Sequence, residues 1–204
     1  MNKIDEFIKK LSNFKVNENV HNQYENKIRQ NNLKLYLEEI KKINPRYLLV
    51  GEAAGYQGCR LSGIPFTSEL IILNGIDKLN IFGEDKGYKK TDEQEIIQKE
   101  KSATMVWETL SEINKIPLLW NAFPFHPFKE NNENSNRLPR KEELLQGEIF
   151  LKSLINLFDI KTVIAVGNIA KFTLNNLGYK SLKVRHPAYG GKAEFKEQLT
   201  KILK

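Results

Sequence analysis

The chain has 204 residues, 40% of them hydrophobic and 28% charged, with 32 Lys and Arg against 25 Asp and Glu, a formal net charge of +7. A single cysteine, Cys59, excludes an internal disulfide framework and a cysteine-built zinc or iron–sulfur site. No apolar run approaches the roughly 20 residues that span a bilayer, and the charged start MNKIDEFIKKLSNF lacks the apolar core of a secretory leader.

The length fits one domain over 1–204, with residues 1–45 as a helical extension. Leu35, Leu37, Ile40 and Ile43 recur at helical spacing in NLKLYLEEIKKI, and Asn44-Pro45 ends that run. RYLLVG reads as a buried strand ending at Gly51, followed by the glycine-bearing loop GEAAGYQGCRLSGIPFTSE. Residues 92–114 read as a helix and PLLWNA as a second strand. FPFHPFKENNENSNRLPR carries prolines and an Asn/Ser cluster, both loop signals. KEELLQGEIFLKSLINLF is an amphipathic helix, TVIAVG a third strand and NIAKFTLNNLG a helix stopped by Gly178. LKVRHP is a fourth strand and EFKEQLTKILK a closing helix. Alternating strands and helices predict an α/β fold, a three-layer sandwich around a central four-stranded parallel sheet.

In such sheets ligands bind beyond the carboxyl ends of the strands. That rule selects Gly51-Glu52, Asn121, Gly167-Asn168 and His186-Pro187, bringing a carboxylate, an amide and an imidazole to one rim. Each alone has an ordinary reading, as a solvated loop carboxylate, a backbone cap or a structural histidine. The glycines of the first loop match neither GxxxxGK[ST] nor GxGxxG, so no nucleotide cofactor is expected, and no metal. Phe66, after Pro65, offers either a stacking face for a flat ring or a core side chain. The basic surplus fits a polyanionic partner or simply a soluble, lysine-rich surface. The lone thiol suits a reducing, cytoplasmic setting.

These segments resemble the uracil-DNA glycosylase superfamily. GEAAGYQGCRLSGIPF is similar to the first motif of the thermophile-type branch, GEAPG with a following G-x-PF, and LLWNA to the strand ending in the uracil-reading Asn. NRLPRKEEL is similar to NRxPxxEE, and VRHPA to the second motif, HPS. The chain departs at Ala53, where some branches keep Asp or Asn, at Ala54 for Pro, at Ala188 for Ser, and in lacking the four cluster cysteines.

The resemblance implies a cofactor-free, monofunctional glycosylase acting on uracil or a related deaminated base in DNA, as a monomer and away from membranes. Glu52, His186 and Asn136 would be catalytic: Glu52 toward the oxocarbenium-like sugar or the water, His186 as a donor to uracil O2, and Asn136 holding water or base. Ala53, Gly55, Phe66 and Asn121 would bind the base. Arg185, Ala188, Tyr189, Gly190 and Lys192 would contact DNA, Tyr189 being either a wedge or an ordinary surface tyrosine. A structural role is expected for His126, and core positions for Trp107 and Trp120. Two other readings stay open: a glycosylase-fold nucleic-acid binder with weak or no catalysis, and a hydrolase of small nucleosides.

Overall fold

The computed structural model describes residues 2–203. Helix α1 (Lys3–Ser12) is capped by the Asn2 side chain and buries Ile4, Phe7, Ile8 and Leu11. Strand β1 (Val20–His21) leads to α2 (Lys27–Ile43), which Asn26 caps and a left-handed Asn44 ends. The buried face of α2 is Leu33, Tyr36, Leu37 and Ile40. Ile43 is largely exposed and Leu35 only edges the core. The expected stripe is therefore rotated, because the Tyr36 hydroxyl accepts a bond from the Leu119 amide at 2.8 Å and faces the sheet.

Strand β2 (Tyr47–Ala53) is followed by two short helices, α3 (Cys59–Ser62) and α4 (Glu69–Asn74), inside what the sequence marks as loop. Helix α5 covers Lys101–Ile113, not 92–114. Residues 92–100 are irregular because their polar groups have distant partners. Glu93 meets Arg29 and Arg60, and the Gln98 amide donates to Glu69. The Glu100 carboxylate caps α5 by accepting from the Ser102 and Ala103 amides.

Strands β3 (Leu118–Phe123) and β4 (His126–Pro127), helix α6 (Lys141–Leu157), strand β5 (Thr162–Val166), helix α7 (Gly167–Asn176), strand β6 (Ser181–Val184) and helix α8 (Lys192–Ile202) complete the chain. The expected sheet forms, wholly parallel, in the order β3-β2-β5-β6. β1 pairs antiparallel with β4 in a separate two-stranded ribbon. Every residue of β3 is buried. Since alternate side chains point to opposite faces, both faces of the sheet are covered by helices.

Gly147 lets α6 approach β3 closely: a Cβ there would lie 2.3 Å from the Ala122 carbonyl oxygen. The amino-terminal helices share the same core. The Phe7 ring meets Trp120 edge-on, and Phe14 stacks on Phe125 at 5.2 Å. No helix among the described residues is long and apolar enough to cross a membrane.

Candidate active site

The carboxyl ends of the four strands carry the candidate residues. Gly51 of β2 lies opposite Asn121 of β3 in the parallel register. A Cβ on Gly51 would fall 2.6 Å from Phe66 Cζ and 2.7 Å from Asn121 Oδ1. An aromatic ring and a carboxamide thus converge on one backbone position that only glycine leaves open. Asn121 is 3% exposed, and its amide bonds to no other described residue, so its donor and acceptor are free for a ligand edge.

Phe66 reaches this position through a left-handed backbone, φ 54. Such a conformation is uncommon for a non-glycine residue and needs outside support. Neighbours supply it. The Ser62 hydroxyl donates to the Thr67 carbonyl at 2.7 Å, the Thr67 hydroxyl to the Pro65 carbonyl at 2.9 Å, and the Trp107 indole to the Thr67 hydroxyl at 3.1 Å. Trp107 and Trp120 are both core residues, as expected.

Glu52 follows Gly51 and is half-buried. Burial alone raises its carboxyl to about 7. It therefore titrates near neutrality, as acid–base and charge-stabilising groups in active sites do. His186 stands at the far side of the rim, where a Cβ on Gly167 would lie 3.2 Å from His186 Cβ. The Ala188 amide donates to His186 Nδ1 at 3.2 Å. Burial, helped by the Arg185 charge, holds this imidazole below its ordinary pKa. With Nδ1 accepting, the ring is neutral and its proton sits on Nε2, a donor without a charge.

The loop after β2 is held peptide by peptide. The Ala54 amide donates to the Phe125 carbonyl at 3.4 Å, and the Ala54 carbonyl meets His126 Nδ1 at 2.8 Å. His126 Nε2 faces the Glu133 carbonyl at 2.9 Å, so both ring nitrogens serve structure. Asn136 Oδ1 accepts from the Tyr56 amide at 3.0 Å, fastening NRLP to the first motif. Ala53 pairs with Phe123 at the end of the sheet. A Cβ on Gly55 would meet nothing within 4 Å, so the loop presents open backbone there.

The expected DNA-contacting residues divide. Tyr189 is 97% exposed with φ 52, and Gly190 follows at φ 76. The Gly191 amide closes the turn on the Ala188 carbonyl at 3.1 Å. The Arg185 side chain is exposed, its backbone amide donating to Gln198. Lys192 instead pairs with Glu108 of α5 at 2.6 Å. Its partner lies 84 positions away, which no local pattern signals. The Gly51 fit was also invisible in the sequence, since it depends on where Phe66 returns.

Among the described residues no three His, Cys, Asp or Glu side chains gather as metal ligands. A cleft of about 370 Å3 lies at the opposite, amino-terminal end of the strands, lined by Ile43, Tyr47, Lys78, Ile116 and Leu203 among others. It holds none of the rim chemistry.

A family model described as the uracil DNA glycosylase superfamily matches residues 37–204. Among solved structures, the chain is similar to wild-type Pedobacter heparinus SMUG2, with 17% identity and a TM-score of 0.67 over 99% of this chain and 97% of that one. At that identity the likeness is one of fold. A search of curated proteins returned no match.

Proposed function

The chain belongs to the uracil-DNA glycosylase superfamily, and from that premise we propose that it hydrolyses the N-glycosidic bond of uracil, or a related deaminated base, in DNA. The observation that carries this reading is the convergence of the Phe66 ring and the Asn121 amide on Gly51, next to the half-buried carboxyl of Glu52.

A base inside a duplex cannot reach such a rim, so it must be flipped out or already single-stranded. Phe66 stacks on the base, a contact worth about 1–3 kcal/mol. Asn121 donates to uracil O4 and accepts from N3–H. Cytosine presents the reverse pattern, so an amide held in this orientation leaves two buried polar groups unpaired against it, and discrimination depends on the amide not turning over. As the bond breaks, positive charge grows on the sugar and negative charge on the base. Ionised Glu52 stabilises the sugar or orients the water. His186 Nε2–H donates toward the developing charge at O2 without first having to gain a proton. Asn136 acts at one remove if it keeps its bond to Tyr56, and directly if substrate displaces that bond.

DNA engages the rim through Arg185 and the turn at 188–191. Gly190 lets that turn approach a phosphate closely, and Tyr189 fills the space left by the flipped base. Lys192, paired with Glu108, contributes only where DNA competes for it. A second reading follows from Ala53 and Ala188, which offer no side-chain polar group beside the water or the base. In that reading the rim binds nucleic acid without breaking a bond.

The test is release of free base from oligonucleotides carrying one uracil, with Glu52→Gln and His186→Ala as controls. Release that both substitutions suppress supports the proposal. Salt-dependent binding without release supports the second reading.

A further inference from the structure

Residues 88–100 cross the molecule without regular structure, yet they are fastened along their length. Asn32 exchanges two bonds with Lys89, at 2.8 and 3.1 Å, and Glu69 accepts from the Gln98 amide at 3.0 Å. Between these anchors Glu93 meets two arginines at once. The Arg29 and Arg60 side chains are 3% and 2% exposed, and Glu93 is an ion-pair partner of both. Two buried guanidinium groups sharing one carboxylate make a high-stakes arrangement, because removing the carboxylate leaves charge buried without compensation.

The other ends of these arginines reach the candidate site. Arg60 Nε donates to the Tyr56 carbonyl at 3.3 Å, and its Nη2 donates to Asn134 Oδ1 at 3.3 Å. Arg29 Nε donates to the Leu61 carbonyl at 3.0 Å. The peptide groups on either side of Tyr56 are thus held from two directions, the amide by Asn136 and the carbonyl by Arg60. This residue directly follows the open backbone at Gly55. Burial pushes the Glu93 carboxyl up, but hydrogen bonds from the two arginines and their charges outweigh that and keep it ionised.

We infer that Glu93, through Arg29 and Arg60, is a positioning residue that sets the shape of the base-contacting loop and locks it to the 131–136 loop. Only the kinetic arm of its test rests on the glycosylase reading. Glu93→Gln keeps the size of the side chain and removes its charge. Glu93→Asp keeps the charge with a shorter reach. Arg60→Lys keeps the charge but loses the fork that holds Tyr56 and Asn134 together.

Amide hydrogen exchange is followed at Tyr56, Arg60 and Ser62, with β5 amides as the reference for global opening. In Glu93→Gln and Arg60→Lys the loop amides should exchange at least about 10-fold faster, beyond any factor shown by β5. In the base-release assay kcat should fall at least about 10-fold while oligonucleotide affinity stays within about 3-fold, and Glu93→Asp should restore part of the loss. Loop amides that exchange at the wild-type rate would overturn the inference, as would loop and β5 amides that lose protection by one common factor. If the wild-type protein releases no base, the glycosylase reading fails and the exchange arm alone decides the role of Glu93. If Glu93→Gln does not fold, Arg60→Lys carries the same comparison.

Discussion

Gly51→Ala adds one methyl group at the point where ring and amide converge. Gly51 lies in β2 without a positive φ, so alanine is acceptable to the backbone and any effect belongs to the methyl. That methyl would stand 2.6 Å from Phe66 Cζ and 2.7 Å from Asn121 Oδ1, against roughly 3.5 Å for an unstrained carbon contact. Something must give by about 1 Å. Phe66 is restrained by its supported left-handed backbone and Asn121 by its burial, so the strain is shared between fold and site. Overpacking of this kind costs about 1–3 kcal/mol of stability. A displacement near 1 Å in a base-positioning group costs about 100-fold in rate. Urea unfolding measures the first quantity, and single-turnover uracil release at saturating enzyme measures the second. A Gly51→Ala protein that cleaves at the wild-type rate would refute the claim that the base sits against this glycine.

Glu52 should couple stability to activity. Its folded value is raised to about 7 from the ordinary 4.5, so the unfolded chain loses its proton first. The destabilisation is absent below pH 4.5, grows as pH rises toward 7 and is then complete; the full shift corresponds to about 3 kcal/mol, and solvent screening of this half-exposed carboxyl lowers it to about 1–2 kcal/mol. Glu52→Gln should therefore be more stable than wild type at pH 8 and no more stable at pH 4, while the wild-type rate should rise through a limb near pH 7 that the variant lacks; denaturant titrations and pH–rate profiles check the two. Arg185→Ala should lower the slope of log affinity against log salt by about 1, measured by fluorescence anisotropy with labelled DNA. Gly147→Ala should leave base release intact and lower stability by about 1–3 kcal/mol in urea unfolding, because its methyl meets backbone of β3 and not the rim.

The four strands of the sheet and their parallel sense were legible because three of them are short apolar runs and strands alternate with helices along the chain, whereas the order β3-β2-β5-β6 was set by packing that no local pattern states. The rim positions were legible for a related reason: Glu52 and Asn121 lie at the ends of such runs, and His186 comes two residues after the last strand. The stretch 92–100 was misread because its spacing of charged and apolar residues permits a helix. Its conformation is set by Arg29, Arg60 and Glu69, distant in sequence. Local reading likewise could not anticipate the left-handed backbone of Phe66, which depends on Ser62, Thr67 and Trp107, or the pairing of Lys192 with Glu108. His126 shows the converse case, where a proline-flanked histidine was expected to be structural and both ring nitrogens face carbonyl oxygens.

The central claim is that the rim at Gly51 reads and releases uracil. Its most direct measurement is the product formed when the wild-type protein meets matched oligonucleotides that carry uracil or cytosine at one position. The account predicts free uracil and an abasic strand from the first and nothing from the second, with release abolished in Asn121→Ala at unchanged fold. Intact uracil-containing strands at saturating protein, single- and double-stranded alike, would contradict it.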